Sequence, residues 1–420
     1  MSAGKEWIYQ TNIYEVNIRQ YTREGTINAF ASHLPRLKDM GIQTLWFMPL
    51  TPISEKERKG RLGSYYACSD YKSINPEFGT SEDFKALVKK SHEMGFKVII
   101  DWVANHTGWD HIWTKLHPEW YKRDDHGHIK KASGMDDIIE LDFSSREMRK
   151  AMIEAMLFWI RDYDIDGFRC DLAFWVQLDF WQEAILQLNQ NKALFWLAEM
   201  EPSEFPAYME VFDAAYSWNW MHKSEEWYKK TLPLKTLVQV LSDYETVPGV
   251  KAWFTSNHDE NSWNGTEYEK YGAAALCLAI HSLTWPGIPL IYSGQELPNK
   301  KRLLFFDKDS IEWTTNLELH GFYKTLLELQ ISHPALDAKT DHYLIHTSAD
   351  TNILSYLRKK NEEEVLVILN LSAHHTRFDI LSSWVNGKFR EIFTSDEMEM
   401  ASAGFSMMPW EYRVYVKIPG

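Results

Sequence analysis

Short apolar runs alternate with helix-like stretches over most of this 420-residue chain. Because the runs are apolar throughout and do not alternate with polar residues, they are typical of parallel strands buried on both faces. Eight such units predict a (β/α)8 barrel, with a doubly wound open sheet as the alternative. The eight strand-like runs are residues 13–17, 44–49, 97–103, 166–171, 193–199, 212–218, 251–256 and 286–292.

The stretches between these runs carry helix signals. Residues 81–94 read as a helix, with Ser81 as the N-cap and Gly95 as the stop. Residues 145–161 place Met, Ile and Leu at helical spacing, which predicts an amphipathic helix packed on the core. Helices between strands are what a barrel requires.

Two segments depart from the alternation. Between Asn105 and Asp142 no barrel-type helix is predicted, and a connection of this length is usually functional. From about His333 the chain changes to short alternating strands, which predict an antiparallel sheet. We therefore predict a (β/α)8 TIM barrel over residues 1–104 and 141–332, a small inserted subdomain over 105–140 after the third strand, and a C-terminal antiparallel β-sandwich domain over 333–420.

Three carboxylates stand at the ends of strand-like runs. Asp171 ends the fourth run, Glu199 ends the fifth, and Asp259 follows the seventh. Barrel enzymes place their chemistry at the carboxyl ends of the strands. Paired carboxylates with different protonation states suit the cleavage of glycosidic bonds. The sequence therefore predicts a glycoside-cleaving site at one end of the barrel.

Composition narrows the class of partner. The net charge of -14 disfavours a nucleic acid, whose phosphates need a basic surface. The 19 Trp, 20 Tyr and 21 Phe fill cores, but their flat rings also suit a carbohydrate cleft. The odd, sparse cysteines Cys68, Cys170 and Cys277 form no disulfide framework, and no His or Cys spacing suggests zinc.

Localisation is left open by the sequence. No run reaches the roughly 18 apolar residues of a membrane span. No apolar signal segment follows Met1, so we expect either a cytoplasmic protein or a secreted or periplasmic one whose leader has been removed.

Several motifs, in order along the chain, resemble those of the α-amylase family, glycoside hydrolase family thirteen. The resemblance covers nearly the whole chain and implies the same barrel, inserted subdomain and terminal β domain. The matching segments are Tyr66-Ala67-Cys68-Ser69-Asp70-Tyr71, Asp101-Trp102-Val103-Ala104-Asn105-His106 after the third strand, Gly167-Phe168-Arg169-Cys170-Asp171 on the fourth, Glu199 at the end of the fifth, and Asn257-His258-Asp259 after the seventh.

The resemblance implies a role for each acid. Asp171 would be the nucleophile that attacks the anomeric carbon, and Glu199 the general acid and then the base. Asp259 would stabilise the cationic transition state and bind sugar hydroxyls. Catalytic carboxyls about 5–5.5 Å apart would give retention through a covalent intermediate.

Four further residues are predicted to surround the sugar. The resemblance implies that His106 and His258 bind its hydroxyls and that Tyr66 stacks beneath it. Arg169, two residues before Asp171, lies on the same face of its strand. Its positive charge is expected to lower the pKa of Asp171.

Calcium is the one cofactor that the resemblance brings into question. Many family members bind it between the barrel and the inserted subdomain, and Asn105 matches a usual ligand, with Glu140 or Asp142 as a carboxylate donor. The family's usual Lys-His pair after the nucleophile is Phe174-Trp175 here, which disfavours calcium, although Trp175 still offers a backbone carbonyl as a ligand. We expect no cofactor to be required, with calcium as the possible exception. This aromatic pair offers a stacking surface on the leaving-group side or simply fills space.

The leading hypothesis is a retaining α-glucan hydrolase of endo-amylase type, acting on α-1,4-linked glucose polymers or maltooligosaccharides. One alternative is a transglycosidase or an exo-acting α-glucosidase, because water and a sugar hydroxyl compete for the same intermediate. Another is a non-catalytic glycan-binding protein of this fold, although the presence of all three acids argues against it. Linkage, chain-length preference and oligomeric state are not decided by the sequence.

Overall fold

The computed structural model describes residues 4–400 and 404–419, and its centre is a closed barrel of eight parallel strands. Each strand pairs with the next along the chain, and the eighth pairs with the first. The predicted barrel and all eight strand-like runs are confirmed. The barrel strands are Ile13–Val16, Thr44–Phe47, Lys97–Trp102, Gly167–Cys170, Phe195–Ala198, Ala214–Tyr216, Val250–Trp253 and Ile288–Tyr292.

The strands are buried almost completely, which explains why their sequences do not alternate. Inside the barrel, Trp46, Ile99 and Leu197 pack in one apolar cluster. The outward-facing side chains of the same strands, such as Phe47 and Phe168, belong to the larger core under the helices. Both faces of each strand therefore require apolar residues except where a strand ends.

Helices cover the barrel, and one predicted cap was wrong. The helix that begins at Ser81 is capped by Thr80, whose hydroxyl accepts from the N–H of Asp83 at 3.2 Å while the Asp83 carboxylate accepts from the N–H of Thr80 at 2.8 Å. Thr80 has the acid three residues ahead that this reciprocal arrangement needs. The helices are Ile18–Tyr21, Ile27–Ala31, Leu34–Met40, Ser81–Glu93, Ile112–Leu116, Arg146–Tyr163, Leu178–Leu188, Trp218–Lys230, Lys235–Glu245, Glu267–Tyr271, Ala275–Thr284 and His320–Ser332.

The long connection after the third barrel strand forms a small structure of its own. Its strands His106–Gly108 and Ile138–Glu140 pair antiparallel. The barrel helix of this unit, Arg146–Tyr163, begins only after the segment ends. The connection lies beside the carboxyl ends of the strands, while the exact limits of the inserted subdomain stay a prediction.

The C-terminal part is an antiparallel sheet domain, as predicted. A six-stranded sheet and a two-stranded sheet make it up. In sheet order, the first contains Asp341–Leu344, Ile353–Lys360, Glu363–Asn370, Tyr412–Lys417, Lys388–Glu391 and Glu397–Glu399, and the second pairs Thr376–Asp379 with Gly404–Met407.

Buried polar contacts join this domain to the barrel. The guanidinium of the buried Arg358 donates to the backbone oxygen of Thr284 at 2.6 Å. The hydroxyls of Tyr356 and Thr284 lie 2.6 Å apart, and the Tyr356 ring packs edge-on against Trp285 with centroids 4.9 Å apart. The two domains therefore share one continuous core.

Across the described ranges, 4–400 and 404–419, no helix has the length and apolar character needed to cross a membrane.

Candidate active site

A cleft of about 420 Å³ opens at the carboxyl ends of the barrel strands. All three predicted acids line it, so the spatial convergence expected from their strand-end positions is found. Of the predicted sugar-binding residues, two line the cleft directly and two lie against those that do. The predicted site residues that line it are Tyr66, His106, Asp171, Glu199 and Asp259.

One buried guanidinium organises the acids. Nη1 of Arg169 donates to Oδ1 of Asp101 at 2.9 Å and to Oδ1 of Asp171 at 3.0 Å. Nη2 lies 2.9 Å from Oε2 of Glu199 in an ion pair that does not have the geometry of a hydrogen bond. Nε donates to the hydroxyl of Tyr216 at 3.2 Å. Asp171 and Glu199, from neighbouring strands, are therefore held by the same cation.

The net effect on Asp171 is opposite to the sequence-based expectation. Burial and the negative charge of Glu199 raise the pKa of Asp171 well above its usual value, although Arg169 acts to lower it. Burial also raises the pKa of Asp101 to about 6, again against Arg169. The predicted lowering of the Asp171 pKa was wrong because burial and the negative charge of Glu199 outweigh the effect of Arg169.

The turn after the fourth strand positions Glu199. Its Oε2 accepts a hydrogen bond of 2.8 Å from the backbone N–H of Leu172, the residue that follows Asp171. Leu172 has a left-handed backbone with φ of 38°, a conformation that non-glycine residues seldom adopt and that clusters at functional sites. The backbone beside one acid therefore fixes the other.

Beneath the cleft, His258 is enclosed by three oxygen partners. Its Nδ1 contacts Oε1 of Glu15, and its Nε2 lies 2.7 Å from the hydroxyl of Tyr66 and 3.3 Å from Oδ2 of Asp259. The Tyr66 hydroxyl also donates to Oδ2 of Asp101 at 3.1 Å. Glu15 was missed by the sequence reasoning, although an acid within the first apolar strand was a signal. The roles of His258 and Tyr66 toward a sugar stay predictions.

The environment of His258 predicts a pH-dependent stability. Burial lowers its pKa, but the carboxylates of Asp259 and Glu15 outweigh burial and raise the pKa to about 9. The stability that this raised pKa contributes is fully present below the ordinary histidine pKa of about 6.5, and it is lost as the pH rises through 9. We expect Glu15→Gln to weaken this contribution. The free energy of unfolding of the variant should fall below that of wild type by about 1–2 kcal/mol more at pH 6 than at pH 9.5. Urea unfolding across this pH range measures the difference.

The exposed Glu154→Gln is the matched control, because that carboxylate lies on a helix surface away from the cleft. Its difference from wild type should be small and independent of pH. A Glu15→Gln difference that stays constant from pH 6 to 9.5 would show that the His258 charge does not depend on Glu15.

His106 differs from His258 in being uncharged. It is 2 % exposed, and burial lowers its pKa to about 4. Its Nε2 has no hydrogen-bond partner within the described part of the chain, yet the residue lines the cleft. A neutral imidazole with an unsatisfied ring nitrogen suits a ligand hydroxyl.

The Glu140 carboxylate near Asn105 does not suit calcium. Asn105 is buried, and the nearby Glu140 carboxylate is ion-paired to Lys122 at 2.5 Å and Lys130 at 3.0 Å. The two ammonium groups hold the oxygens that a hard cation would need. Over residues 4–400 and 404–419, no group of three or more His, Cys, Asp or Glu is arranged to hold a metal ion.

A second cleft of about 330 Å³ adjoins the first on the Glu199 side and shares Leu172 and Glu199 with it. Phe174 lines this second cleft, and its ring stacks on Phe205 with centroids 4.6 Å apart. Trp175 packs edge-on toward His106 at 6.5 Å. Of the aromatic pair Phe174-Trp175, Phe174 is thus the one that offers a surface beside the predicted acid.

Two protein-family models match this chain, one in the barrel and one in the C-terminal sheet domain. Residues 4–126 match the family model of the α-amylase catalytic domain. Residues 344–414 match that of the maltogenic amylase C-terminal domain.

Similar proteins match over nearly the full chain. Alpha-amylase 2 of Dictyoglomus thermophilum is 25% identical over 435 residues, which cover 93% of this chain and 73% of that protein. Among solved structures, an α-amylase from Lactobacillus plantarum has 28% identity and a TM-score of 0.87, covering 98% of this chain and 100% of its own. A noncanonic maltogenic α-amylase from Thermotoga neapolitana has 27% identity and a TM-score of 0.89 over the same shares.

Proposed function

Since this chain belongs to the α-amylase family and is a glycoside hydrolase, we propose that it is a retaining α-glucan hydrolase that cleaves α-1,4-glucosidic bonds. The observation that carries this proposal is the shared guanidinium of Arg169, which holds Asp171 and Glu199 together at the open end of the barrel. Retaining glycosidases need this pairing of a nucleophile and a proton donor.

The reaction proceeds in two displacements. The Asp171 carboxylate attacks the anomeric carbon while Glu199 gives its proton to the glycosidic oxygen, so the bond to the leaving sugar breaks and a glycosyl–Asp171 ester forms. Glu199 then takes a proton from water, whose oxygen attacks the same carbon and releases Asp171. Because both steps invert the carbon, the product retains the α configuration.

The remaining residues support the charged transition state. Asp259 is 37 % exposed at the edge of the cleft, where its carboxylate stabilises positive charge that develops on the sugar ring. Neutral His106 binds a hydroxyl through the ring nitrogen that has no partner within the described ranges. Arg169 does not touch the substrate in this scheme but positions both carboxylates.

Transglycosylation is a second candidate, favoured by the cleft beside Glu199. A sugar bound between Phe174 and the Trp218 side of that cleft would present a hydroxyl to the base in place of water. The non-catalytic alternative receives no such support, because all three acids line the first cleft together.

The stereochemistry of the first product tests the proposal. During hydrolysis of maltoheptaose followed by proton NMR, we expect the α-anomer to accumulate first and the β-anomer only by mutarotation. Parallel assays on starch, pullulan and isomaltose should give reducing sugar where α-1,4 bonds are present and none from isomaltose. Initial release of the β-anomer would exclude the double displacement.

A further inference from the structure

Residues 59–62, here called the strap, are attached to one wall of the catalytic cleft. The N–H of Leu62 donates to the backbone oxygen of Phe306 at 2.9 Å, and the N–H of Arg61 donates to Oδ1 of Asp307 at 3.1 Å. Phe306 lies in the loop after the eighth barrel strand and lines the cleft. This end of the strap is therefore fixed to the wall formed by that loop.

Gly60 explains how closely the strap approaches this wall. It has a positive φ of 61°, and a Cβ built on it would lie 2.5 Å from the Cβ of Phe306. No side chain fits at such a distance without a shift of the backbone. The strap is thus packed directly against the backbone and Cβ of Phe306.

The other end of the strap reaches the opposite wall. Nζ of Lys59 lies 2.8 Å from Oδ1 of Asp137, which belongs to the long connection after the third strand. The Asp137 side chain is 5 % exposed, whereas that of Lys59 is 38 % exposed, and both residues line the cleft. The strap therefore spans the space between the two walls.

The position of Glu199 tells which end of the substrate meets the strap. The proton donor contacts the leaving group, so the leaving sugar lies on the side of Glu199 away from Asp171. The second cleft contains Glu199 but not Asp171, which assigns it to the leaving group. Lys59 and Asp137 line only the cleft that contains the nucleophile and His106, so they face the sugar that becomes attached to Asp171.

From this geometry we infer that the strap closes the non-reducing end of the binding cleft, so that the enzyme takes chain ends and releases short products. This inference rests on the proposed α-glucan hydrolysis and replaces the endo-amylase type expected from the sequence with chain-end cleavage. The volume of about 420 Å³ is near the low end for ligand sites, roughly 300–1,000 Å³, and suits roughly one or two glucose units beyond the cleaved bond. Lys59 has N–H groups beyond the one facing Asp137, and these recognise hydroxyls of the terminal sugar.

Two variants open this end of the cleft. Lys59→Ala removes the bridging side chain, and the double variant Lys59→Ala/Asp137→Asn also avoids leaving a buried carboxylate without its partner. The substrate is maltoheptaose labelled at its reducing end. We expect wild type to release unlabelled glucose or maltose first, and the variants to release unlabelled products of three or more glucose units at least about threefold more often.

A maltoheptaose whose terminal non-reducing glucose carries a 4,6-O-benzylidene group provides the second measurement. A closed end rejects the added group, so wild-type kcat/KM should fall about 100-fold, and the double variant should reduce this gap to about tenfold or less. Lys131→Ala is the matched control, because the Lys131–Asp136 ion pair lies in the same connection with both side chains about half exposed or more. It should leave both measurements unchanged.

The outcomes distinguish failure of the inference about the strap from failure of the proposed hydrolysis. If wild type cleaves the blocked substrate as fast as the free one, or if both strap variants give the wild-type product pattern while folded by circular dichroism, the inference is wrong although the enzyme hydrolyses α-glucans. If wild type releases no reducing sugar from either substrate, the proposed function fails instead.

Discussion

Asp171→Asn is expected to lower kcat for maltoheptaose by about 10⁴-fold or more, because removal of the nucleophile typically has an effect of this size in enzymes that form a covalent intermediate. The amide has nearly the shape of the carboxylate but cannot form the glycosyl ester. The fold should survive, because Asn can still accept the 3.0 Å hydrogen bond from Nη1 of Arg169. Initial rates of reducing-sugar release and a thermal melt measure the two effects.

Asp179→Asn is the matched control for Asp171→Asn. Asp179 lies in the helix that follows the same barrel strand, and its side chain is 61 % exposed. Its replacement should change kcat by less than about twofold. The smaller variant Asp171→Gly adds a positive test, because azide can enter the space of the missing carboxylate and displace fluoride from α-maltosyl fluoride, which gives a β-azide. Wild-type kcat in Asp171→Asn would remove Asp171 from the reaction.

Arg169→Met destabilises the protein by about 3–5 kcal/mol, the usual result of removing one partner from a buried ion pair. Three carboxylates within 3.0 Å of the guanidinium lose their counter-charge, and the side chains of Asp101, Asp171 and Glu199 are all less than 10 % exposed. Methionine fills a similar volume, so the loss arises from charge more than from a cavity. The free energy of unfolding in urea at pH 7 measures it.

The pH dependence separates charge from packing in Arg169→Met. Because the penalty comes from ionised carboxylates, it should shrink by more than half between pH 7 and pH 4.5, a range in which Asp101, with a pKa of about 6, becomes protonated; the raised pKa of Asp171 acts in the same direction. Arg149→Met, whose partners Asp179 and Glu183 are exposed, should cost about 1 kcal/mol or less at either pH. A penalty for Arg169→Met that does not change with pH would indicate lost packing.

The barrel could be predicted from sequence because each barrel strand must be buried on both faces. This requirement makes each strand visible as a short, continuously apolar run. A strand such as Thr44–Phe47 is buried on both faces, so each of its residues had to be compatible with burial. The acids Asp171 and Glu199 interrupt this pattern at the strand ends, where polar groups reach the cleft. Local chemistry was therefore enough to place them on one rim.

The features that could not be predicted are contacts between residues that are far apart in the sequence. Glu15 and His258 are 243 residues apart, and nothing in either neighbourhood indicates their contact. The expectation for the pKa of Asp171 counted Arg169, a neighbour two residues away. It omitted burial and the charges of Glu199 and Asp101, which act on Asp171 only after the barrel closes. The contact of Lys59 with Asp137 likewise depends on how two loops are placed by the strands beneath them.

The contact between Arg358 and the backbone of Thr284, here called the seam, limits how the barrel and the C-terminal sheets can be separated. A barrel freed of its terminal sheets would present Trp285 and the last turn of the Ala275–Thr284 helix to solvent, and the sheets alone would leave an unbalanced guanidinium. We therefore expect each piece to lose stability when the other is removed. Chimaeras between relatives should therefore be joined away from this seam, with both of its faces inherited from the same parent.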